Sequence, residues 1–407
     1  MKSISTLCLA LLALQLSAQV KLDKAQLVEK SNPFYDSIVE KNEMFEAKTS
    51  TPQKVLKMDF SNVDYPKSLS DYKMAKGVQL PISQGETGTC WCFASTSFFE
   101  AEVKRLTDKD VDLSELYSVY WQYVEKAREY VRTRGESVFE EGSEGNATQI
   151  MMKKYGAVPA YAYTGLKNGQ PFHDHKPLIR EMQGYLKSVK QSNAWNEDVV
   201  IATIKSILNF YLGVPPTQIE VSSVKMTPQE YLKIVLKLDP DNYVDFMSFA
   251  NEPYWTKAEY AVPDNWWHSK EYNNVPLDVF MDIIKRAAKN GISLSIGGDN
   301  SNEPGMYNKL GVCMIPSFDI PSAYIDENAR LFRFLNGTTT DDHGMLLMGY
   351  AEKSNGMWFL IKDSGSGGHN NTNAKGYWFM HEDYVKLKMT TITVPKDFVK
   401  DLLVKIK

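Results

Sequence analysis

What is scarce in this sequence narrows its class. The 407 residues hold 4 cysteines and 6 histidines. So few cysteines in so long a chain do not make a disulfide scaffold, and six histidines leave few candidates for any one catalytic role. Neither sign of charge dominates. Lys and Arg number 46 against 50 Asp and Glu, a net charge of -4, which gives no reason to expect nucleic acid or an acidic membrane surface as partner. Beyond the N-terminus no run approaches ~18 apolar residues, so the mature chain is expected to be soluble, with no membrane span. Internal repeats and low-complexity tracts are also missing. What remains, 43% hydrophobic and 24% charged, is ordinary globular composition. The length allows two or three domains or one large one.

The N-terminus reads as an export signal. Lys2 supplies a short basic region, Leu7 to Leu14 an apolar run, and Ser17-Ala18 small residues for cleavage before Gln19. Residues 1–18 are therefore expected to be a signal peptide and the protein to be periplasmic or secreted. Cys8 lies inside the apolar run rather than at its end, which argues against a lipid anchor. Removal leaves Cys90, Cys92 and Cys313, an odd number that suggests a free thiol. A Cys92–Cys313 pair stays open. Residues 19–65 are polar and weakly periodic, with a linker-like Ser50-Thr51-Pro52. An extended arm or linker is the reading here, rather than a propeptide.

The informative stretch is Gln84-Gly85-Glu86-Thr87-Gly88-Thr89-Cys90-Trp91-Cys92-Phe93. A Gly/Thr-rich turn runs into Cys90, and Phe99, Val103 and Leu106 follow at helical spacing as an apolar stripe. A thiol in the first turn of a helix sits beside unpaired N–H groups and the positive end of the macrodipole. Both favour the nucleophilic thiolate. Gln84 is placed to swing its carboxamide over Cys90 and to form an oxyanion hole with the Cys90 N–H. A cysteine in an apolar helix is more often a small core residue, and Cys92 takes that reading.

A thiolate nucleophile needs a base. His173 and His175 flank Asp174 in a polar stretch and read as solvated loop residues. His268 follows two tryptophans and reads as packing. His369 falls in a Gly-rich loop and His381 at a helix start. His343 opens the apolar strand Met345-Leu346-Leu347-Met348 and is the candidate base. Further strands are expected at Ile292–Ile296, Met357–Ile361 and Gly376–Met380, and a helix from Val275-Pro276 to Gly291. Ser114 is the expected N-cap of another helix, with Tyr117, Tyr120, Trp121 and Val124 on its apolar face.

The pattern Gln-x3-Gly-x-Cys-Trp-x-Phe resembles the active-site segment of papain-like cysteine peptidases, and Asp-His-x5-Gly-Tyr at His343 resembles their catalytic-histidine strand. The resemblance implies an α+β, papain-like fold: a helical half carrying the cysteine (66–165) and an antiparallel, β-rich half carrying the histidine (276–407). It also implies a third triad member. Where the family has Asn-Ser-Trp-Gly, this chain has Asp363-Ser364-Gly365-Ser366. Asp363 replaces the Asn and Gly365 stands at the shielding Trp. A carboxylate accepts the same bond and should raise the histidine pKa, while loss of the Trp should open that bond to water.

His343 lies about 250 residues after Cys90, against ~130–150 in papain-type enzymes. The excess maps to residues 166–275, expected as a large, mainly helical insertion. That insertion, Thr227-Pro228-x-Glu230-Tyr231 and Tyr272-Asn273-Asn274-x-Pro276 resemble the bleomycin hydrolase / aminopeptidase C branch. Aligned on Tyr155-Gly156, that branch sets Gly142-Ser143 against a Gly-Gly pair that exposes backbone to substrate; a plain helix-entry turn is the competing reading.

The resemblance implies peptide substrates, no metal or organic cofactor, and homo-oligomers. Members of the branch carry a C-terminal arm that binds the substrate amine. The C-terminus here is shorter, so cleavage of internal bonds is expected beside N-terminal trimming. The rival functions are a non-catalytic peptide-binding protein on this fold and a transglutaminase-like Cys-His-Asp enzyme, which lacks the Gln84 spacing.

Overall fold

The computed structural model describes residues 32–49, 55–167, 169–301 and 304–407. The expected signal peptide and the Ser50–Pro52 linker lie outside the described residues. The chain divides into two units, Met1–Val55 and Leu56–Lys407. In the first, helix α1 spans Pro33–Thr49. Asn32 caps it by accepting the Tyr35 N–H at 3.1 Å, and proline at the first helical position has no N–H to leave unpaired.

The second unit is built on one sheet. Its strands are β1 (Lys73–Met74), β4 (Tyr243–Met247), β5 (Thr256–Ala258), β6 (Tyr272–Asn274), β7 (Leu294–Gly298), β8 (Met306–Tyr307), β9 (Val312–Cys313), β10 (His343–Lys353), β11 (Gly356–Lys362), β12 (Tyr377–His381) and β13 (Met389–Pro395). The order is β5-β6-β4-β13-β7-β10-β11-β12-β9-β8, with β1 added on β10. Pairing is antiparallel except β4 with β6 and β9 with β12. A separate hairpin joins β2 (Ile219–Val221) to β3 (Val224–Met226).

The middle strands are apolar on both faces because each face has its own core. Successive strand residues point to opposite sides. Leu346, Trp358, Leu360 and Phe379 enter one core with the helical half. Met345, Leu347, Phe359, Ile361, Trp378 and Met380 enter the other. A strand covered on both sides reads as a continuous apolar run, which is why Met345–Met348 was visible in the sequence.

The helices on the first face are α2 (Cys90–Thr107), α3 (Glu115–Arg132), α4 (Asn146–Tyr155), α5 (Lys176–Gln191) and α6 (Glu197–Leu212). Ser114 caps α3 as expected, accepting the Tyr117 N–H at 3.1 Å. On the second face α7 (Leu277–Lys289) buries Phe280, Ile283, Ile284 and Ala287.

Several expectations are corrected. Leu106 is 46% exposed; the last turn of α2 is polar, with Lys104 bound to Asp110 and Arg105 to Glu102. Within the second unit Phe60 and Tyr65 are buried in the main core, which does not conflict with an arm lying on the domain. The region 166–275 carries its two long helices in its first half, and its second half keeps only short helical turns such as Pro228–Glu230 and Tyr231–Val235. Its second half contributes β4, β5 and β6 to the main sheet, where β4 pairs with β13. Polar residues inside these strands, such as Asp245 bonded to Thr393 at 2.6 Å, hide their period.

Candidate active site

Cys90 is the first residue of α2, and the helix starts where it does because Thr89 accepts the Cys92 and Phe93 N–H groups. Gly344, the second residue of β10, lets the helix close on the strand. A Cβ there would stand 2.9 Å from the Trp91 Cα, too near for any side chain. The approach sets Cys90 beside His343, and the two line one cavity.

The other side of the His343 ring meets Asp363, Nε2 to Oδ1 at 2.7 Å. Asp363 follows β11 and is 1% exposed. Its carboxylate also accepts the Gly365 N–H at 2.7 Å, the Gly368 N–H at 2.9 Å and the Trp378 indole N–H at 2.9 Å. Burial opposes both charges, but the mutual field of the pair and these donors prevail. His343 is held well above the ordinary imidazole range, by Asp363 and by Cys90, and Asp363 below the usual carboxylate value.

With glycine at 365, His343 and Asp363 line an open cavity of about 520 Å³. An indole is present, but it comes from β12. Trp378 was not identified from the sequence because it stands 15 residues beyond Asp363; only the inward position of an aromatic on a strand hinted at it.

Gln84 is 8% exposed and pinned at both ends. Its Oε1 accepts the Ser364 hydroxyl at 2.7 Å and its Nε2 donates to the Thr87 carbonyl at 2.6 Å. Ser364, next to Asp363, thus ties Gln84 to the Asp363 segment.

The turn that carries Gln84 is braced by the histidines expected to be solvated. Glu86 and Asp174 form a β-bridge, with the Glu86 N–H on the His173 carbonyl at 2.8 Å and the His175 N–H on the Glu86 carbonyl at 3.2 Å. Gly85 has φ +69°, and a Cβ would stand 2.3 Å from the His173 carbonyl oxygen, so glycine is required. Both histidines are buried. Burial pushes His173 down to about 4 and His175 to about 3, so both are neutral, with His175 Nδ1 on the Tyr123 hydroxyl at 3.0 Å. His268 is corrected in the opposite sense: its side chain is 77% exposed and bonds Glu259.

Cys92 is fully buried with its thiol on the Glu115 carbonyl, and burial pushes it up to about 12. Cys92 and Cys313 are not paired. His381 caps the short helix Glu382–Lys388, as expected, while His369 ends a helical turn, Ser366–His369, rather than a loop.

The loop before α4 is held from α3. Lys126 donates to the carbonyls of Glu140 and Gly142, and Gln122 to the Ser143 hydroxyl at 2.7 Å. Asp264 covers the Gly142 Cα. Ser143 lines a cavity of about 30 Å³ beside Cys90 and His343, whereas the Gly142 carbonyl faces Lys126.

Among the described residues no group of His, Cys, Asp and Glu is arranged to hold a metal ion, and no helix is long and apolar enough to cross a membrane. The chain is similar to aminopeptidase E of Lactobacillus helveticus, 21% identical over 78% of this chain and 81% of that one. It is also similar to aminopeptidase C of Listeria monocytogenes, 24% identical over 52% of this chain and 55% of that one. The crystal structure of PepW from Lactobacillus rhamnosis superposes with a TM-score of 0.68 at 18% identity, over 93% of this chain and 95% of the other, which shows the shared fold. Residues 47–406 match the Peptidase C1-like family, and with nearly the whole chain inside that match, this protein belongs to the Peptidase C1-like family and is a cysteine peptidase.

Proposed function

We propose that the protein hydrolyses peptide bonds through a Cys90–His343–Asp363 triad, with N-terminal trimming as the main activity. The observation that carries this reading is the imidazole of His343, set beside Cys90 and bonded to a buried carboxylate at 2.7 Å. The aminopeptidase names of its relatives support the trimming activity.

The chemistry follows from the placement. Cys90 attacks the scissile carbonyl carbon as thiolate, and the carbonyl electron pair moves to oxygen. The imidazolium of His343 gives its proton to the leaving amine, the C–N bond breaks and a thioester remains. Neutral His343 then takes a proton from water, which attacks the thioester and releases the acid and the thiol. Asp363 fixes the ring tautomer and balances the imidazolium. Gln84 gives one amide hydrogen to Thr87; the second, with the Cys90 N–H, meets the oxyanion.

The test is Cys90→Ala beside wild type on free-amine peptides. Wild type is expected to hydrolyse them, and the variant to lose about 10³-fold or more while still binding them. Hydrolysis that survives in Cys90→Ala overturns the reading and leaves another nucleophile, and peptides bound but not cleaved by wild type overturn it and leave a peptide-binding role.

A further inference from the structure

A second cavity touches the triad where His343 meets Asp363. Both residues line this space of about 520 Å³, and Cys90 does not. Cys90 and His343 together line the smaller cavity of about 30 Å³. The reaction sends a different half of the substrate to each. The acyl half stays on Cys90 as the thioester, and the leaving amine takes its proton from His343. The residue that carries this amine therefore begins at His343 and leads away from Cys90, into the larger space.

Gly365 gives that space its reach. Its backbone is extended, with φ -74° and ψ 162°, a conformation open to any residue. The turn does not require glycine there; what the missing side chain supplies is room. A Cβ at 365 would stand 3.1 Å from Asp363 Oδ1 and 3.1 Å from His343 Nε2. Any side chain at 365 would start against the His343–Asp363 bond and fill the space beside it.

The walls are in place before a substrate arrives. Asp363 holds the glycine wall through the Gly365 and Gly368 N–H groups. Another wall is the β8–β9 hairpin, with Met306 buried and Asn308 exposed. There β9 pairs with β12, and Thr372 donates its N–H and its hydroxyl to the Lys309 carbonyl at 3.0 Å and 2.8 Å. A fixed pocket binds without the cost of ordering its walls. Its volume of about 520 Å³ lies within the ~300–1,000 Å³ of pockets that hold small ligands, so an alanine side chain would leave most of it to water. The lining is also open to a ligand, since Asp342, Asn308 and Ser366 are exposed and Gly365 and Gly367 half-buried. No Lys or Arg lines it among the described residues, and Asp363 already occupies His343. An entering carboxylate meets the like charge of Asp342 and no free cation.

We propose that this cavity is the subsite for the side chain directly after the scissile bond, and that it selects a large, uncharged residue and disfavours an acidic one. The proposal rests on the peptidase reading above, because that reaction is what places the leaving amine at His343.

The test uses the whole enzyme on free-amine peptides Leu-Yaa-Ala that differ only at Yaa, with release of leucine as the readout. Phenylalanine is expected to raise kcat/KM about 10- to 100-fold over alanine, and glutamate to fall about 3- to 5-fold below glutamine. A second measurement reads the cavity in the reverse direction. The leucyl thioester formed from leucine p-nitroanilide is divided between water and an added amino acid amide. The amine attacks the thioester carbon, the C–S bond breaks, and the amine's proton passes through His343 to the sulfur. Phenylalanine amide is expected to capture about 10-fold more of the acyl group than alanine amide at equal concentration. Asn308→Lys brings a cation into the cavity and is expected to lift glutamate to the level of glutamine or above. Ser366→Lys does the same from the glycine wall, and both positions are exposed, so neither variant disturbs a core.

Phenylalanine within about 3-fold of alanine overturns the proposal, as does a preference in hydrolysis that is missing from acyl capture. A glutamate-to-glutamine ratio that neither lysine variant moves overturns it too. The alanine peptide tells the two failures apart. If the series is hydrolysed without preference, only the subsite falls. If no member is hydrolysed, the peptidase reading falls and this proposal with it.

Discussion

Asp363 accepts four hydrogen bonds, and only one comes from His343. Two backbone N–H groups and the Trp378 indole hold the carboxylate in place whether or not the imidazole is charged. An asparagine there would offer one oxygen for the ring and no charge to balance it. The sign of the effect is set by what Asp363 does now. His343 is raised well above its ordinary value against the opposing effect of burial. The imidazolium therefore persists at low pH and is lost as pH rises through that raised value. Asp363→Asn removes the charge and leaves the burial, so the alkaline limb of kcat/KM is expected to move to lower pH by about 1–3 units. A pH–rate profile whose alkaline limb does not move would show that the carboxylate contributes geometry alone. At this scale the sequence was legible where chemistry demands a local pattern: Cys90 follows a Gly/Thr turn and His343 opens a strand. It was silent on Trp378 and on the bond from Ser364 to Gln84, because each acts across a distance that only the folded sheet closes.

Helix α2 presents Cys90 at one end and buries a charged group in its middle. Glu100 accepts the Leu113 N–H at 2.8 Å, and Lys362, beside Asp363, donates to Ser97 at 2.8 Å. Burial, then the nearby Glu115, pushes Glu100 up to about 8, while burial pushes Glu115 up to about 7 and Lys362 down. A carboxyl raised in the folded state stabilises fully below its unfolded pKa and loses that contribution as pH rises through the folded one. For Glu100 the loss runs from about pH 4.5 to about pH 8. Glu100→Gln keeps the acceptor for Leu113 and cannot ionise. Its Tm relative to wild type is expected to climb as pH rises from 5 to 8.5, by about 2–4 °C for each kcal/mol recovered. Parallel Tm curves for the two proteins over that range would place the charge of Glu100 outside the stability balance. Elements were legible by the same measure of burial. The strands β10, β11 and β12 are apolar on both faces and stood out. The strand β13, central in the sheet, did not, since Thr390 and Thr393 turn to polar partners and, with Thr391, break the apolar run.

One sheet divides the two large cores of the second unit, with a smaller cluster at Met247, Phe249, Ala258, Tyr260 and Tyr272, and this bears on the region 166–275. Its length marked it as an insertion, and Leu178, Met182, Leu186, Val200, Ile204 and Leu208 share a core with Phe98, Tyr120 and Leu360. Helices α5 and α6 are therefore packed into the same hydrophobic mass as α2, and β4 continues the sheet that carries His343. A region integrated in this way unfolds with its surroundings. Leu208 is fully buried on α6, and Leu208→Ala removes its contacts and leaves a cavity, costing about 2–5 kcal/mol. Because α6 shares its core with α2, the loss is expected to fall on the peptidase site as well. Urea unfolding followed by far-UV circular dichroism and by residual peptide hydrolysis should give one coincident transition in wild type. In Leu208→Ala the same two signals should shift together to lower urea. Were the helices an independent layer, dichroism would show an early step at which hydrolysis is untouched. That separation would detach the insertion from the catalytic core.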